Sequence, residues 1–96
     1  MDHLHARILP RLVQDAIHCL WLAHDQVDQS LKGETRRAIM SLRKADVADT
    51  ALTMSVLRAV SPHLVRVERT LQDLERPFTA QKVRGVRDRV QHLTTA

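Results

Sequence analysis

The sequence is poor in several residue types on which whole classes of function depend. It contains one cysteine, two glycines, three prolines and only two aromatic residues, Trp21 and Phe78. A single cysteine excludes an intrachain disulfide. The scarcity of aromatic rings argues against a surface that stacks the bases of single-stranded nucleic acid. The longest apolar run is far shorter than the roughly 20 residues that cross a bilayer, and no signal-peptide core is present. We therefore expect a cytoplasmic protein with no membrane contact.

Catalytic and metal-binding motifs are lacking too. The chain has no HExxH, CxxC or Glu-x-x-His pattern, no nucleophile elbow and no phosphate loop. No pair of carboxylates marks an acid–base site. The sequence therefore predicts a protein that is not an enzyme and has no catalytic residues, no metal site and no cofactor.

The residues that are abundant favour helices. Hydrophobic residues make up 44% of the 96 positions, which is enough for one small core. Strand-like alternation is missing, and residues with high helix propensity dominate. We predict an all-α fold, a compact four- to five-helix bundle in a single domain over 1–96. It should have a long N-terminal helix and a C-terminal antiparallel helical hairpin.

Turn-forming residues set the predicted helix boundaries. Gly33 accepts the left-handed conformation that ends helices, so the first helix should stop there. Ser61 and Pro62 either start a new helix or kink one long helix. Asp46 with Asp49 should open the third helix, and Thr79 should cap the last one. The predicted helices are roughly 4–32, 34–45, 46–60, 61–76 and a final one from 79 onward.

Three apolar seams repeat with heptad spacing, which is typical of helices that pack along their length. More apolar face is present than one small core can cover, so a larger partner or a second copy of the chain should cover the excess. Trp21 should widen the buried face of the first helix. The seams are Leu9, Val13, Ala16, Leu20, Ala23 and Val27; Leu57, Val60, Leu64, Val67, Leu71, Leu74 and Phe78; and Val83, Val86, Val90 and Leu93.

The chain carries a net charge of +4, concentrated towards its C-terminus, which favours an acidic partner such as nucleic acid or an acidic protein. Some of this charge should instead be neutralised inside the fold. Glu68 and Glu75 are expected to pair with Lys82, Arg87 and Arg89 across the C-terminal hairpin. The candidate contacts to nucleic acid or to an acidic partner are Arg36, Arg37, Arg43, Lys44, Arg66, Arg69, Arg76, Arg84 and Arg87.

One segment favours DNA binding. Thr53 could cap a first short helix, and Ser61-Pro62 could open a second one from which Arg66 and Arg69 project. Segment 53–75 resembles the reading head of winged-helix regulators of the multiple-antibiotic-resistance type, which implies operator binding through a helix-turn-helix. It departs from that pattern because the approach to Ser61 is about one turn short and contains no glycine.

A second motif favours RNA cleavage. Arg58 to His63 and Arg87 to His92 both read R-x4-H. This spacing is similar to that of the HEPN-type helical ribonucleases, which implies an arginine and a histidine that meet across a dimer.

The leading hypothesis is a small, non-enzymatic helical interaction protein. It would act as an adaptor, regulator or inhibitor by docking on a larger protein, such as a nucleic-acid-handling machine, and could form a homodimer. The alternatives are a DNA-binding transcriptional regulator and a HEPN-like ribonuclease.

Overall fold

The computed structural model describes residues 2–45 and 48–95, with side chains for 7–45 and 48–94. It contains four helices: α1 (Asp2–His24), α2 (Gln29–Lys44), α3 (Thr50–Asp73) and α4 (Pro77–Thr95). No strand occurs in these residues, so the all-α prediction is confirmed, with four helices rather than five. None of the helices in this part of the chain is long and apolar enough to cross a membrane.

The boundary between α1 and α2 differs from the prediction of one helix over 4–32. Helix α1 ends at His24, and Asp28 caps α2 by accepting a hydrogen bond from the backbone N–H of Ser30 at 3.1 Å. Gly33 lies inside α2 and has no positive φ. The predicted stop at Gly33 is therefore wrong, because a capping carboxylate upstream already satisfies the free N–H groups of the new helix.

Helix α3 runs without a break from Thr50 to Asp73 and contains Pro62 in its interior. Of the two expectations for Ser61-Pro62, the single long helix is the one observed. The helix-turn-helix predicted over 53–75 is wrong, because no turn interrupts the helix before residue 74. Pro62 is exposed, so the backbone carbonyl that its missing N–H leaves unpaired is on the water side. Asp49 caps this helix through the N–H of Leu52 at 3.0 Å, whereas Asp46 lies outside the described residues.

The predicted break before Pro77 is confirmed. Glu75 adopts a left-handed conformation with φ of 57°, and the N–H of Arg76 donates to the carbonyl of Leu71 at 2.8 Å. This pattern closes a helix C-terminus, and Pro77 then occupies the first position of α4. Thr79 is buried and does not cap α4; its hydroxyl donates to Gln26 Oε1 on the connection after α1 at 2.8 Å.

The helices form an up-down-up-down bundle around one core. Polar contacts join consecutive helices in antiparallel order, from Glu34 to Arg66 and from Glu68 to Arg87. The Asp15–Arg89 pair joins α1 to α4 in the same sense. This arrangement confirms the predicted C-terminal antiparallel hairpin.

The predicted seams supply the core, with one exception. The first seam is buried throughout, and the third is buried except for Leu93, which packs against the core. The second seam is buried from Leu57 to Leu71, but Leu74 is 45% exposed and Phe78 is 71% exposed. The placement of these two residues in the core was wrong, because α3 ends at Asp73. Leu74 lies in the connection after α3, and Phe78 lies on the exposed side of the first turn of α4. Trp21 is also 42% exposed.

Candidate docking surface

The predicted basic contact residues do not form one patch. Arg36, Arg37, Arg43 and Lys44 lie exposed on α2. Arg66 and Arg69 are exposed on α3, Arg76 is exposed in the connection to α4, and Arg84 is exposed on α4. Arg87 is different, because only 20% of its side chain is accessible.

Arg87 is held inside the hairpin by acidic residues. Its Nη1 lies 2.6 Å from the buried carboxylate of Glu68, and its Nη2 donates to Asp88 at 3.1 Å. The expected charge pairing across the hairpin is therefore confirmed for Glu68 with Arg87. It is wrong for Arg89, which pairs with Asp15 on α1 at 2.8 Å, and for Lys82, which lies 5.0 Å from the ring centroid of Phe78.

The exposed side of α2 carries a group of basic residues that form no ion pair with a described carboxylate. Helix α2 packs against α1 and α3, and its remaining side faces water. Four basic side chains surround Met40 there, and Met40 is 51% exposed. Within the part of the chain that the structure describes, none of the four forms an ion pair with a carboxylate. They are Arg36, Arg37, Arg43 and Lys44.

Along the α1 edge of α2, these charges meet an exposed aromatic ring. The guanidinium carbon of Arg43 lies 5.6 Å from the ring centroid of Trp21, within the range of a cation–π contact. Arg36, Met40 and Arg43 follow one another at i, i+4 and i+7, so they share one face of α2. We call Trp21, Arg36, Met40 and Arg43 together the tryptophan surface.

A histidine orients two members of the tryptophan surface. His24 packs edge-on against Trp21, with ring centroids 5.7 Å apart. Its Nε2 accepts a hydrogen bond from Arg36 Nε at 3.0 Å, and its Nδ1 lies 3.2 Å from Asp25 Oδ1. Because Nε2 accepts, the proton is on Nδ1 and points to the carboxylate. Arg36 and Trp21 are thus held in place before any partner arrives.

On the opposite edge of α2 a polar groove separates it from α3. Glu34 on α2 accepts a hydrogen bond from Arg66 on α3 at 3.1 Å, which lowers the pKa of that carboxyl group. Beneath them, His63 Nε2 lies 2.9 Å from the hydroxyl of Thr35. Burial lowers the pKa of His63, and the nearby carboxylate of Glu34 only partly opposes that effect.

The structure does not bring the R-x4-H residues together within one chain. Arg58 is exposed whereas His63 is buried, because a spacing of five residues places them on different sides of α3. Arg87, in the second motif, is engaged by Glu68. The absence of enzymatic activity stays a prediction, as does the cross-dimer arrangement of a ribonuclease.

Metal and thiol chemistry receive no support from the described residues. They contain no cluster of three or more histidine, cysteine, aspartate or glutamate side chains that could hold a metal ion. Cys19 is buried, and burial raises the pKa of its thiol to about 12. The nucleophilic thiolate is therefore scarce at neutral pH.

Sequence reasoning identified the arginines of the tryptophan surface but missed its apolar members. Trp21 was predicted to be part of the buried face of α1, and Met40 was not singled out. The only available signal was the position of Met40 between Arg36 and Arg43 on one helical face. That signal becomes meaningful only once α2 is known to lie beside Trp21.

No protein-family model, curated protein or solved structure matches the chain. The function is therefore argued from the residues described above.

Proposed function

We propose that this protein is a non-enzymatic interaction module that docks an acidic segment of a larger protein on its tryptophan surface. The observation that carries the proposal is Trp21, which is 42% exposed and lies against Arg43, beside an Arg36 that no described carboxylate neutralises. An adaptor, regulator or inhibitor would act through such a surface.

The composition of the surface supports docking. Tryptophan, arginine and methionine are enriched at protein interfaces, and tryptophan and arginine supply most binding hot spots. Leaving Trp21 and Met40 in water forgoes the roughly 25 cal/mol per Å² that apolar burial contributes. A partner that covers both side chains recovers this free energy.

The charges specify the chemistry of the partner. Arg43 beside the ring, Arg36 bonded to His24, and Lys44 next to Arg43 attract carboxylates, and arginine binds a carboxylate with two parallel hydrogen bonds. The net charge of +4 would also speed association with an acidic protein. The fitting ligand is an amphipathic segment with an apolar stripe flanked by aspartate or glutamate.

Trp21 is itself the probe for the experiment, because it is the only tryptophan in the chain. A tryptophan-free amphipathic helical peptide with leucines on one face and glutamates beside them is titrated while Trp21 emission is recorded. We expect a saturable blue shift, since the ring leaves water. Arg36→Glu and Arg43→Glu together should weaken binding by more than about tenfold.

The matched control is Arg84→Glu, which reverses an exposed charge on α4 away from the surface. Equal weakening by Arg84→Glu would mean that only net charge matters, and the proposed surface would be rejected. A natural partner should be retained by wild type and by Arg84→Glu and lost by the double variant. Circular dichroism of each variant checks that the helices remain formed.

DNA regulation remains the second hypothesis, now without a helix-turn-helix. The exposed basic side of α2 is the observation that favours it. Binding to a generic duplex is measured across a salt series, in which phosphate contacts would give a linear fall of log affinity with log salt. A slope of several units would favour DNA, and no binding at low salt would leave the acidic protein partner.

A further inference from the structure

The groove between α2 and α3 is an open depression of about 310 Å³ that the tryptophan surface does not use. Its polar walls come from both helices: Glu34, Arg37 and Ser41 from α2, and His63 and Arg66 from α3. It lies on the edge of α2 away from Trp21, so it is a separate site.

A buried and incompletely bonded histidine forms part of the wall of this groove. His63 is only 5% exposed, and its Nδ1 makes no hydrogen bond. Glu34 Oε2 lies 3.3 Å from Nδ1 but outside hydrogen-bonding geometry. Nδ1 therefore has only this poorly aligned contact with Glu34, and a better-placed acceptor in the groove would satisfy it more fully.

The other ring nitrogen is prepared for either protonation state. The hydroxyl of Thr35 lies 2.9 Å from His63 Nε2 and 2.7 Å from the carbonyl of Leu31. When His63 is neutral and Nε2 has no proton, the hydroxyl donates to Nε2. When His63 is charged, Nε2 donates to the hydroxyl, which turns and donates to Leu31. Proton uptake therefore breaks no hydrogen bond of the imidazole.

The charges around the groove favour an anion. Arg37 has no ion pair with a described carboxylate, and Arg66 uses one N–H group on Glu34. A guanidinium has five N–H donors, so most of those on Arg66 remain free. With His63 neutral the walls carry +1, from two arginines and one glutamate, and with His63 protonated they carry +2. The net charge of +2, with His63 protonated, matches the charge of a dianion.

We propose that this groove is a phosphate-binding pocket, in which Arg37 and Arg66 bind the phosphate oxygens, Ser41 donates a hydrogen bond and His63 takes up a proton as the anion enters. Phosphate fits better than a carboxylate, because its oxygens can contact both arginines and the serine at once. Glu34 stands at the exposed rim and can turn towards water while its place beside Arg66 is taken.

Proton uptake gives the pocket a distinctive pH dependence. Burial and the two arginines hold the pKa of His63 below its ordinary value, while Glu34 raises it. A bound dianion opposes these depressing effects and raises the pKa. Because binding then consumes a proton, affinity must increase as the pH falls through the range below about 6.5.

The test follows the imidazole signals of His63 by NMR while inorganic phosphate, O-phosphoserine or sulfate is added at constant ionic strength. Sulfate stays dianionic at both about pH 6 and about pH 7.5, so it separates protonation of His63 from protonation of the ligand. We expect saturable shifts and tighter sulfate binding at the lower pH. Stronger binding of O-phosphoserine than of phosphate would identify a phosphorylated residue as the source, and equal binding the free anion.

Three variants make the outcome decisive. Arg37→Ala should weaken binding by about tenfold, whereas Arg69→Ala, an exposed arginine of α3 outside the groove, should not. His63→Gln should remove the pH dependence of sulfate binding. Absent or non-saturable shifts, or equal effects of the two arginine variants, would overturn the pocket. The outcome of these phosphate experiments, whether positive or negative, does not test docking at Trp21.

Discussion

Individual polar residues in this small bundle divide into those that hold the fold together and those that remain free to bind. Glu68 is 6% exposed and lies against Arg87, while Gln72 donates to its second oxygen at 3.1 Å. From the sequence alone, Glu68 and Arg87 could form an internal ion pair or could each bind a charged ligand. Burial decides that this pair belongs to the α3–α4 interface.

Removing Arg87 should therefore be costly. Arg87→Ala leaves the Glu68 carboxylate buried and unpaired, which costs about 3–5 kcal/mol for a fully buried pair. Since a fifth of the Arg87 side chain reaches water, we expect roughly 2 kcal/mol or more of lost unfolding free energy. Urea denaturation of Arg87→Ala and of Arg84→Ala, a control on the exposed side of α4, measures it. Equal midpoints for the two variants would contradict the assigned role of the pair.

His63 should make stability pH-dependent. Its pKa is lowered in the fold, so between that pKa and about 6.5 the unfolded chain binds more protons and stability rises with pH. The stabilisation is complete above about pH 6.5 and is lost on acidification through this range. The facing charges are Glu34 and Arg37 on α2 and Arg66 on α3.

The check compares thermal unfolding of wild type and His63→Gln at about pH 5.5 and about pH 7.5 in a buffer free of phosphate and sulfate. Wild type should lose more stability on acidification than the variant does. An equal loss in both would mean that other groups carry the pH dependence. Glu34, whose pKa is also lowered, acts at lower pH, because its stabilisation is lost only as pH falls below the ordinary glutamate range.

At the scale of the helices, capping groups and prolines decided what the apolar pattern left open. The seam of α1 continues through Val27 even though the helix ends at His24, so periodicity alone extended the helix too far. The seam of α3 continues through Pro62, which lies on the exposed side of an unbroken helix. Local caps and backbone chemistry therefore set the element boundaries, which hydrophobic spacing does not report.

Gly33→Ala distinguishes the observed boundary from the predicted one. Gly33 lies in the interior of α2, and an added Cβ would come no closer than 3.9 Å to Arg37 Nη1. Alanine should stabilise the fold by about 0.5–1 kcal/mol, because it reduces the entropy of the unfolded chain. Chemical denaturation measures the change, and Gly85→Ala, where the Cβ meets open space, should behave alike. Destabilisation would restore Gly33 as a helix stop.

Pro62→Ala tests whether α3 is one helix. An interior proline costs about 3 kcal/mol relative to alanine, whereas a proline at the first position of a helix is favourable. Because Pro62 is exposed and interior, alanine should stabilise the protein by roughly 1–3 kcal/mol. A loss of unfolding free energy would mean that a helix starts at Ser61 after all.

At the scale of the whole molecule, the four helices of the described residues close one core and leave selected apolar groups outside it. The radius of gyration is 12.8 Å, close to the value of about 12.5 Å expected for a compact chain of this length. Leu71 is fully buried, whereas Leu74, one turn later on the same predicted seam, is 45% exposed. The end of α3 at Asp73 separates them.

These two leucines provide a matched pair. Leu71→Ala should cost about 2–5 kcal/mol, because it removes buried methyl groups and leaves a cavity. Leu74→Ala should cost clearly less, since nearly half of the side chain is already in water. Denaturation midpoints of both variants, converted with a common slope, check the difference. Similar losses would place Leu74 in the core, as the seam alone predicted.

The sequence by itself determined the helical class, most of the inward face of each helix and the break at Pro77, because these depend on periodicity, propensity and ring geometry within a few residues. Only the tertiary structure decided that Arg87 forms an ion pair with Glu68 and that Trp21 stays exposed beside Arg43. It also decided that one groove is lined by Arg37, Arg66 and His63. Each of these depends on which helix packs beside which. Distances across antiparallel neighbours are set by the way the helices pack, and no spacing along a single helix contains that information.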